Sequence, residues 1–363
     1  MRNYFVIFLS IIAFTSKELF PQIILSSKAE SYYDDNIFNN SLKVSDLIST
    51  FELNGGYNLE SENNNIQFYS MNNFNSYKNN IYKTSNSHKL GIVDTYLLGG
   101  DTNPINIGIN YSFKNNRDEF TIFDFNQLSA YINYRHSLNE TDYLTTGYLF
   151  NRNNYKNLSA FSFNENKAFV KYANTFQTKT TLQLGSEIYF KNYIEKFYYQ
   201  PKSNSTSQAS FSFNISQSLT EQTGISGFFN LRKNIKSGTR YLYSGDLIFY
   251  EEEIFNDIYS NDGFETGIAF TQIINSLLTA RIEANYSTKY FSNLYAADLD
   301  GYELGSLRKD NLFSLGLEFK FDLENYINGL GATILWNYFN NKSNDVFYKY
   351  DNHIFLINFE WGM

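Results

Sequence analysis

The chain has 363 residues and a net charge of −8, with a pI near 5.1, which disfavours nucleic acid as a partner because phosphate binding needs clustered lysine and arginine. It contains no cysteine, which excludes disulfides, thiolate metal sites and cysteine nucleophiles. Apolar residues make up 42% and aromatic residues 19%, yet the mean hydropathy is −0.40; this combination argues against a helical membrane protein and favours many alternating strands.

The first 22 residues read as a secretory signal peptide. Arg2 supplies the positive start, and the apolar run at 4–14 is too short to cross a bilayer as a helix. We expect cleavage between residues 15 and 22, where no position fits the small-residue rule well; an uncleaved anchor is the alternative. The remaining residues, 23–363, are expected to form one domain.

Alternating apolar and polar residues then recur along the whole chain, and each such segment predicts a strand with one apolar and one polar face. The first segment is weak, and the later ones are clear. All three prolines, Pro21, Pro104 and Pro201, fall outside the strand centres, as a ladder of backbone hydrogen bonds requires. The predicted strands lie near 23–33, 47–59, 66–73, 89–98, 105–113, 128–134, 144–150, 168–175, 182–190, 209–215, 225–232, 263–273, 278–286, 313–321, 330–338 and 352–363.

The connections between these strands alternate between short and long. Short turns are predicted near 60–64, 99–103, 137–140, 177–179, 219–222, 275–276 and 323–327, and long loops near 34–44, 76–87, 114–124, 151–165, 191–206, 233–262, 291–310 and 340–351. Outer-membrane barrels sort their connections in this way, with tight periplasmic turns and long extracellular loops. The pattern therefore predicts an all-β fold, a transmembrane antiparallel up-and-down barrel of about 16 strands. A soluble β-sandwich is the alternative, although it has no reason to sort its loops by length.

The final predicted strand has the most regular alternation. Its apolar face carries Phe355, Ile357, Phe359, Trp361 and Met363. This strand resembles the closing strand of Gram-negative outer-membrane β-barrel proteins, in which the terminal strand is also the assembly signal and usually ends in phenylalanine. The resemblance implies an outer-membrane location and recognition of these five residues by the barrel assembly machinery. The methionine at position 363 departs from the family's usual ending.

A second resemblance lies after the first strand. The stretch Tyr-Asp-Asp-Asn-Ile-Phe at 33–38 resembles the opening of putative β-barrel porins from Gram-negative bacteria. A plainer interpretation is that Asp34, Asp35 and Asn36 make a turn.

In a barrel, the polar faces of the strands line a lumen. A lumen enclosed by about 16 strands is too wide for side chains to fill, so water enters and charges there can set selectivity. Arg281 and Glu283 on one strand are placed to pair with Glu318 and Lys320 on the next, so structural ion pairing and selectivity both stay open. The pore-lining candidates are Glu52, Lys171, Glu187, Arg232, Arg281, Glu283, Glu318 and Lys320.

The longest loop, 233–262, contains three consecutive glutamates at 251–253. It either folds into the lumen or forms a solvated acidic cap. No ligand spacing in the chain indicates a metal or cofactor. The three histidines, His88, His136 and His353, lie on separate strands with no base, orienter and nucleophile together, so we expect no enzymatic activity.

These observations predict a porin-like channel in the outer membrane for passive diffusion of small hydrophilic solutes. An export or assembly barrel for a polysaccharide or a surface protein is one alternative, and a non-conducting adhesion barrel is another. The expected partners are outer-membrane lipid, the barrel assembly machinery and small solutes, with a homo-oligomer left open.

Overall fold

The protein is a closed antiparallel β-barrel of 16 strands. The computed structural model describes residues 22–99, 103–195, 204–237 and 261–362. The strands are β1 Ile23–Asp34, β2 Asp46–Ser61, β3 Asn64–Tyr77, β4 Ser85–Leu97, β5 Pro104–Asn116, β6 Phe125–Ser137, β7 Asp142–Tyr155, β8 Phe163–Thr175, β9 Thr180–Tyr193, β10 Ser205–Ser218, β11 Thr223–Lys236, β12 Asn261–Ile273, β13 Leu278–Ala297, β14 Glu303–Asp322, β15 Leu330–Ser343 and β16 Tyr350–Gly362. The predicted fold class and strand number are confirmed.

Each strand pairs with its neighbours in sequence, and β16 pairs with β1 to close the ring. At this seam the pairing runs from Ser26 opposite Gly362 to Asp34 opposite Ile354. Closure matters because hydrocarbon offers no partner to backbone N–H and C=O groups, so an unpaired edge inside a membrane is costly.

The two faces of the barrel wall differ as the alternation predicts. The outward face carries exposed apolar side chains on successive strands, for example Phe51 on β2, Ile109 on β5 and Phe355 on β16. The inward face carries polar and charged residues in continuous cross-strand rows, such as Lys28 opposite Glu52. An apolar outer surface around a polar interior is the arrangement of a transmembrane barrel.

The outward side chains of β1 explain why the apolar alternation in its sequence is weak. Its outward positions include Ser27, Ala29 and Ser31, which pair with outward residues of β16 and β2. Small side chains there weaken the apolar alternation, although the backbone pairing of β1 to β2 is complete from Ile23 to Asp34.

The prediction of one long loop is wrong. Residues 291–310 were expected to form a long loop, but β13 and β14 extend through most of them as a hairpin that protrudes beyond the barrel wall. The hairpin turns at 298–302, where the Asp298 carboxylate accepts hydrogen bonds from the backbone N–H groups of Asp300 and Tyr302 at 3.0 and 2.9 Å. Gly301 in this turn has a φ of +84°, which favours glycine.

Three other long loops contain short 3₁₀ helices, at Ile81–Lys83, Asp118–Phe123 and Ser159–Phe161. Among the described residues, no helix is long and apolar enough to cross a membrane. The predicted signal peptide and residues 238–260 of the longest loop lie outside the described residues, as does Met363.

Candidate functional site

Loops fold into the lumen at the long-loop end of the barrel. Five buried apolar side chains meet there, and we call them the mouth core: Ile37, Phe38, Ile48, Phe120 and Phe123. They come from the first loop, from the start of β2 and from the 3₁₀ helix Asp118–Phe123. Inward-facing wall residues of β1 and β3, Tyr32 and Tyr77, pack against them, so the cluster lies inside the barrel mouth.

The 33–38 stretch anchors this arrangement. The backbone N–H of Asn36 donates to the Asp34 carboxylate at 2.8 Å, so the turn interpretation is correct locally. The fully buried Asn36 also receives a hydrogen bond at its carbonyl from the side chain of Asn352 on β16, at 3.3 Å. The backbone N–H of His353 donates to the Asp35 carboxylate at 2.7 Å. The turn therefore binds the first loop to the closing strand.

Two buried charged residues hold the second loop beside the mouth core. The Asp46 carboxylate accepts hydrogen bonds from the backbone N–H groups of Asn79 and Asn80, at 2.9 and 2.7 Å. The Lys83 ammonium donates to the carbonyl of Ile37 at 3.0 Å and lies 4.5 Å from the centre of the Phe38 ring. Buried charges with such partners fix the loops in one position.

Beside the mouth core is an upper cavity of about 620 Å³. Inward residues from opposite walls line it, including Lys114 of β5 and Lys289 of β13, and the mouth contributes Asn39 and Phe123. At its edge, the Arg308 guanidinium makes a bidentate pair with Asp310, at 3.1 and 2.7 Å, and lies 3.2 Å from the centre of the Tyr348 ring.

A lower cavity of about 770 Å³ opens at the short-turn end. Carboxylates dominate its charged lining, with Glu52, Asp322, Glu324 and Glu360 set against Lys28 and Lys320. Both ends of the lumen are therefore accessible spaces with charged walls.

The register places all eight predicted pore-lining residues on inward positions. Lys171 lies opposite Gly185, Glu187 opposite Ser210, and Arg232 opposite Gly263. Glu52 lies opposite Lys28 and accepts a hydrogen bond from Asn73 at 3.2 Å. Arg281 lies directly opposite Glu318, Glu283 opposite Gly316, and Lys320 opposite Thr333.

Ion pairing in the lumen takes two forms. Between strands, Glu187 of β9 lies 3.4 Å from Lys171 and 3.8 Å from Lys167, both of β8. On β13 and β14 the salt bridges instead run along each strand, from Arg281 to Glu283 at 3.3 Å and from Lys320 to Glu318 at 3.5 Å. A third pair along a strand, Lys28 to Glu30 at 2.6 Å, lies on β1.

Inward aromatic side chains cover neighbouring glycines, a feature that the polar-face pattern did not reveal. The ring of Tyr69 lies flat over Gly91, where an added Cβ would come within 2.4 Å of it. The rings of Tyr131 over Gly108 and Phe169 over Gly147 are equally close, and Phe228 lies 2.5 Å from the Cβ position of Gly267. We call Tyr69, Tyr131, Phe169 and Phe228 the aromatic arc. Each ring has one face on the wall and is partly exposed.

The four rings of the aromatic arc lie at about the same height along the barrel axis. The climb of the cross-strand rows is offset by a displacement of the rings in the opposite direction. Cross-strand rows climb toward the long-loop end from β1 to β5, as the row from Lys28 to Lys114 shows. From β3 to β11, each ring lies one or two inward-facing rows nearer the short-turn end than the ring on the preceding ring-bearing strand.

Around the rest of the ring, the same displacement places Glu283, Glu318, Glu30 and Glu52 at about the height of the aromatic arc. At this level, one side of the lumen carries the aromatic arc, with Lys167, Lys171 and Glu187 beside Phe169, and the other side carries charged residues. The charged arc comprises Lys28, Glu30, Glu52, Arg281, Glu283, Glu318 and Lys320.

At the outer rim, Asp35, Asp351 and His353 each place one atom of a type that can bind a metal ion within 4.8 Å of the others. Lys43 already supplies a positive charge there, with its ammonium 2.5 Å from Asp351 and 3.9 Å from Asp35. The hydrogen bond to Asp351 raises the pKa of Lys43, which keeps the ammonium protonated. The cluster is therefore an ion-paired contact between the first loop and β16.

The Lys171–Glu187 contact predicts a measurable effect on ion selectivity. Glu187→Gln leaves Lys167 and Lys171 without their nearby carboxylate, so the anion-to-cation permeability ratio should rise by about twofold or more. Lys171→Gln should move it in the opposite direction. The reversal potential across a salt gradient measures both, with Lys342→Gln, on the outward face, as the control. Equal reversal potentials in all variants would show that Lys167, Lys171 and Glu187 lie away from the path of the ions.

The fold resembles that of solved outer-membrane proteins. The outer membrane protein OpdK from Pseudomonas aeruginosa aligns with a TM-score of 0.55 over 95% of this chain and 100% of its own, at 9% identity. OprD from the same organism gives 0.53 at 8% identity, over 96% of this chain and 95% of its own. Acinetobacter baumannii OccAB2 gives 0.51 at 8% identity, over 94% and 98%. No protein-family model and no curated protein sequence matches the chain.

Proposed function

We propose that this barrel is an outer-membrane channel that passes small hydrophilic solutes by passive diffusion. One observation carries the proposal: the inward face is polar and charged, with charged cavities at both ends of the lumen. A barrel that only anchored surface loops would have no need of such a lining. The shared fold with OpdK, OprD and OccAB2 supports the same conclusion.

Physical considerations support a wet lumen. A ring of 16 strands encloses more space than inward side chains fill, so water occupies the remainder. Charged groups such as Lys171, 54% exposed at its side chain, then stay hydrated and act on passing ions. The outward apolar surface suits the hydrocarbon of the membrane. We assign the barrel transport and no catalytic chemistry.

Conductance of the refolded protein in a planar bilayer tests the proposal. We expect stable open steps in potassium chloride, from material that shows heat-modifiable migration on a gel and β-type circular dichroism. Folded protein that inserts but never conducts would overturn the channel and favour an adhesion barrel or a gated export barrel. Protein that stays soluble without detergent would overturn the membrane assignment.

A further inference from the structure

We propose that the level of the lumen that carries both arcs is a binding site for neutral saccharides, formed by the aromatic arc on one side and the charged arc on the other. This proposal rests on the channel function proposed above and names its class of solute.

The aromatic arc supplies flat faces for a ring-shaped solute. Because Tyr69, Tyr131 and Phe169 lie against glycines, one face of each ring is covered by the wall, and each ring is inward-facing and partly exposed to the lumen. The Phe169 ring also has the ammonium groups of Lys167 and Lys171 at 5.7 and 5.3 Å from its centre. The face of an aromatic ring is electron-rich and attracts partly positive C–H groups. A pyranose ring presents such C–H groups on its apolar side, so it can stack on these faces in succession.

Polar groups beside the rings match the rim of a sugar. The side chain of Asn110 hydrogen-bonds the Tyr69 hydroxyl, and Asn133 contacts the same glycine position as Phe169. Amides both donate and accept hydrogen bonds, as sugar hydroxyls do. Ligand sites commonly combine aromatic walls with a few fixed polar groups in this way.

The charged arc favours a neutral solute. Each of its three cations is paired with a carboxylate on its own strand: Lys28 with Glu30, Arg281 with Glu283 and Lys320 with Glu318. The fourth carboxylate, Glu52, gives the arc a net negative charge, and its oxygens accept strong hydrogen bonds from neutral hydroxyl groups and repel an aromatic carboxylate. A neutral polyhydroxylated ring therefore fits both arcs better than an aromatic anion does.

Maltotriose is the probe, added to single open channels in a planar bilayer. We expect concentration-dependent interruptions of the ion current. Tyr69→Ala and Phe169→Ala should each raise the half-blocking concentration by about fivefold, as the loss of one stacking partner predicts. Tyr69→Phe should keep most of the block because it keeps the ring. Phe68→Ala removes the adjacent aromatic on the outward face and should leave the block unchanged.

One further variant and one competitor complete the test. Gly91→Ala forces the Tyr69 ring off the wall and should change the block without removing any aromatic group. A block that persists equally in Tyr69→Ala and Phe169→Ala, or a stronger block by benzoate, would overturn the saccharide site while the channel stands. If the folded barrel does not conduct, the channel proposal fails. Calorimetric titration of the detergent-solubilised barrel with maltotriose then tests the binding site without any current measurement. Absence of binding, or equal binding by the Tyr69→Ala variant, would overturn the site.

Discussion

Deletion of Phe359 to Met363 is expected to abolish assembly of the barrel, with folded protein in the membrane falling at least about tenfold, because unpaired strand edges are not tolerated in hydrocarbon. The deletion removes four of the nine register pairs at the seam, those of Ser26 to Ala29. It also removes the pairs from Leu330 to Ala332 on β15 and the hydrogen bond from the Trp361 indole to the carbonyl of Asn328, at 3.0 Å.

A matched variant separates the two roles of this segment. Phe359→Ser with Trp361→Ser keeps the backbone and its pairing but removes the aromatic side chains that the assembly machinery is expected to read. We expect this variant to refold in detergent and yet to reach the membrane poorly in cells. Membrane fractionation with heat-modifiable migration measures both variants. Normal membrane levels of the truncated chain would contradict the assembly-signal role.

Loosening the mouth core is expected to enlarge the conducting path. Phe38→Ala with Phe120→Ala removes two rings that are 2% and 1% exposed, and each such truncation costs about 3–5 kcal/mol of local packing. Lys83 also loses its ring contact with Phe38. We expect the first loop and the Asp118–Phe123 helix to detach from the lumen, with higher single-channel conductance, noisier open states and protease cleavage within residues 35–45.

Leu42→Ala is the control, since this leucine belongs to the same loop but is 48% exposed. It should leave conductance and protease resistance unchanged. Both variants must migrate as folded barrels before the comparison is made. Unchanged conductance in the double variant would show that the mouth core does not limit the path.

Period-two alternation was sufficient to predict the barrel wall because it reports directly which face of a strand is apolar. The strand number, the fold class and the inward positions of residues such as Glu187 and Arg281 all follow from it. Where the outward face is small, as at Ser27 and Ala29 of β1, the alternation weakens. Along β13 and β14 the pattern also misjudged length, because strands beyond the membrane need no apolar face.

The interior of the lumen could not be predicted in the same way. Tyr69 and Phe169 lie on the polar faces of their strands, and their function as wall coverings depends on glycines in adjacent strands that only the register identifies. The mouth core brings together residues from the first and third long loops, and loop sequences carry no periodicity. The pairing of Glu187 with Lys167 as well as Lys171 likewise depends on rotamers, because Glu187 lies opposite Phe169, in the row between those of the two lysines.

The small outward residues of β1 have a mechanical consequence. The β1–β2 pair has twelve register positions, whereas the β1–β16 seam has nine. Ser27, Ala29 and Ser31 also give β1 fewer large side chains to interlock with acyl chains than its neighbours have. Under mechanical tension, or on heating, the ring should therefore part first between β1 and β16.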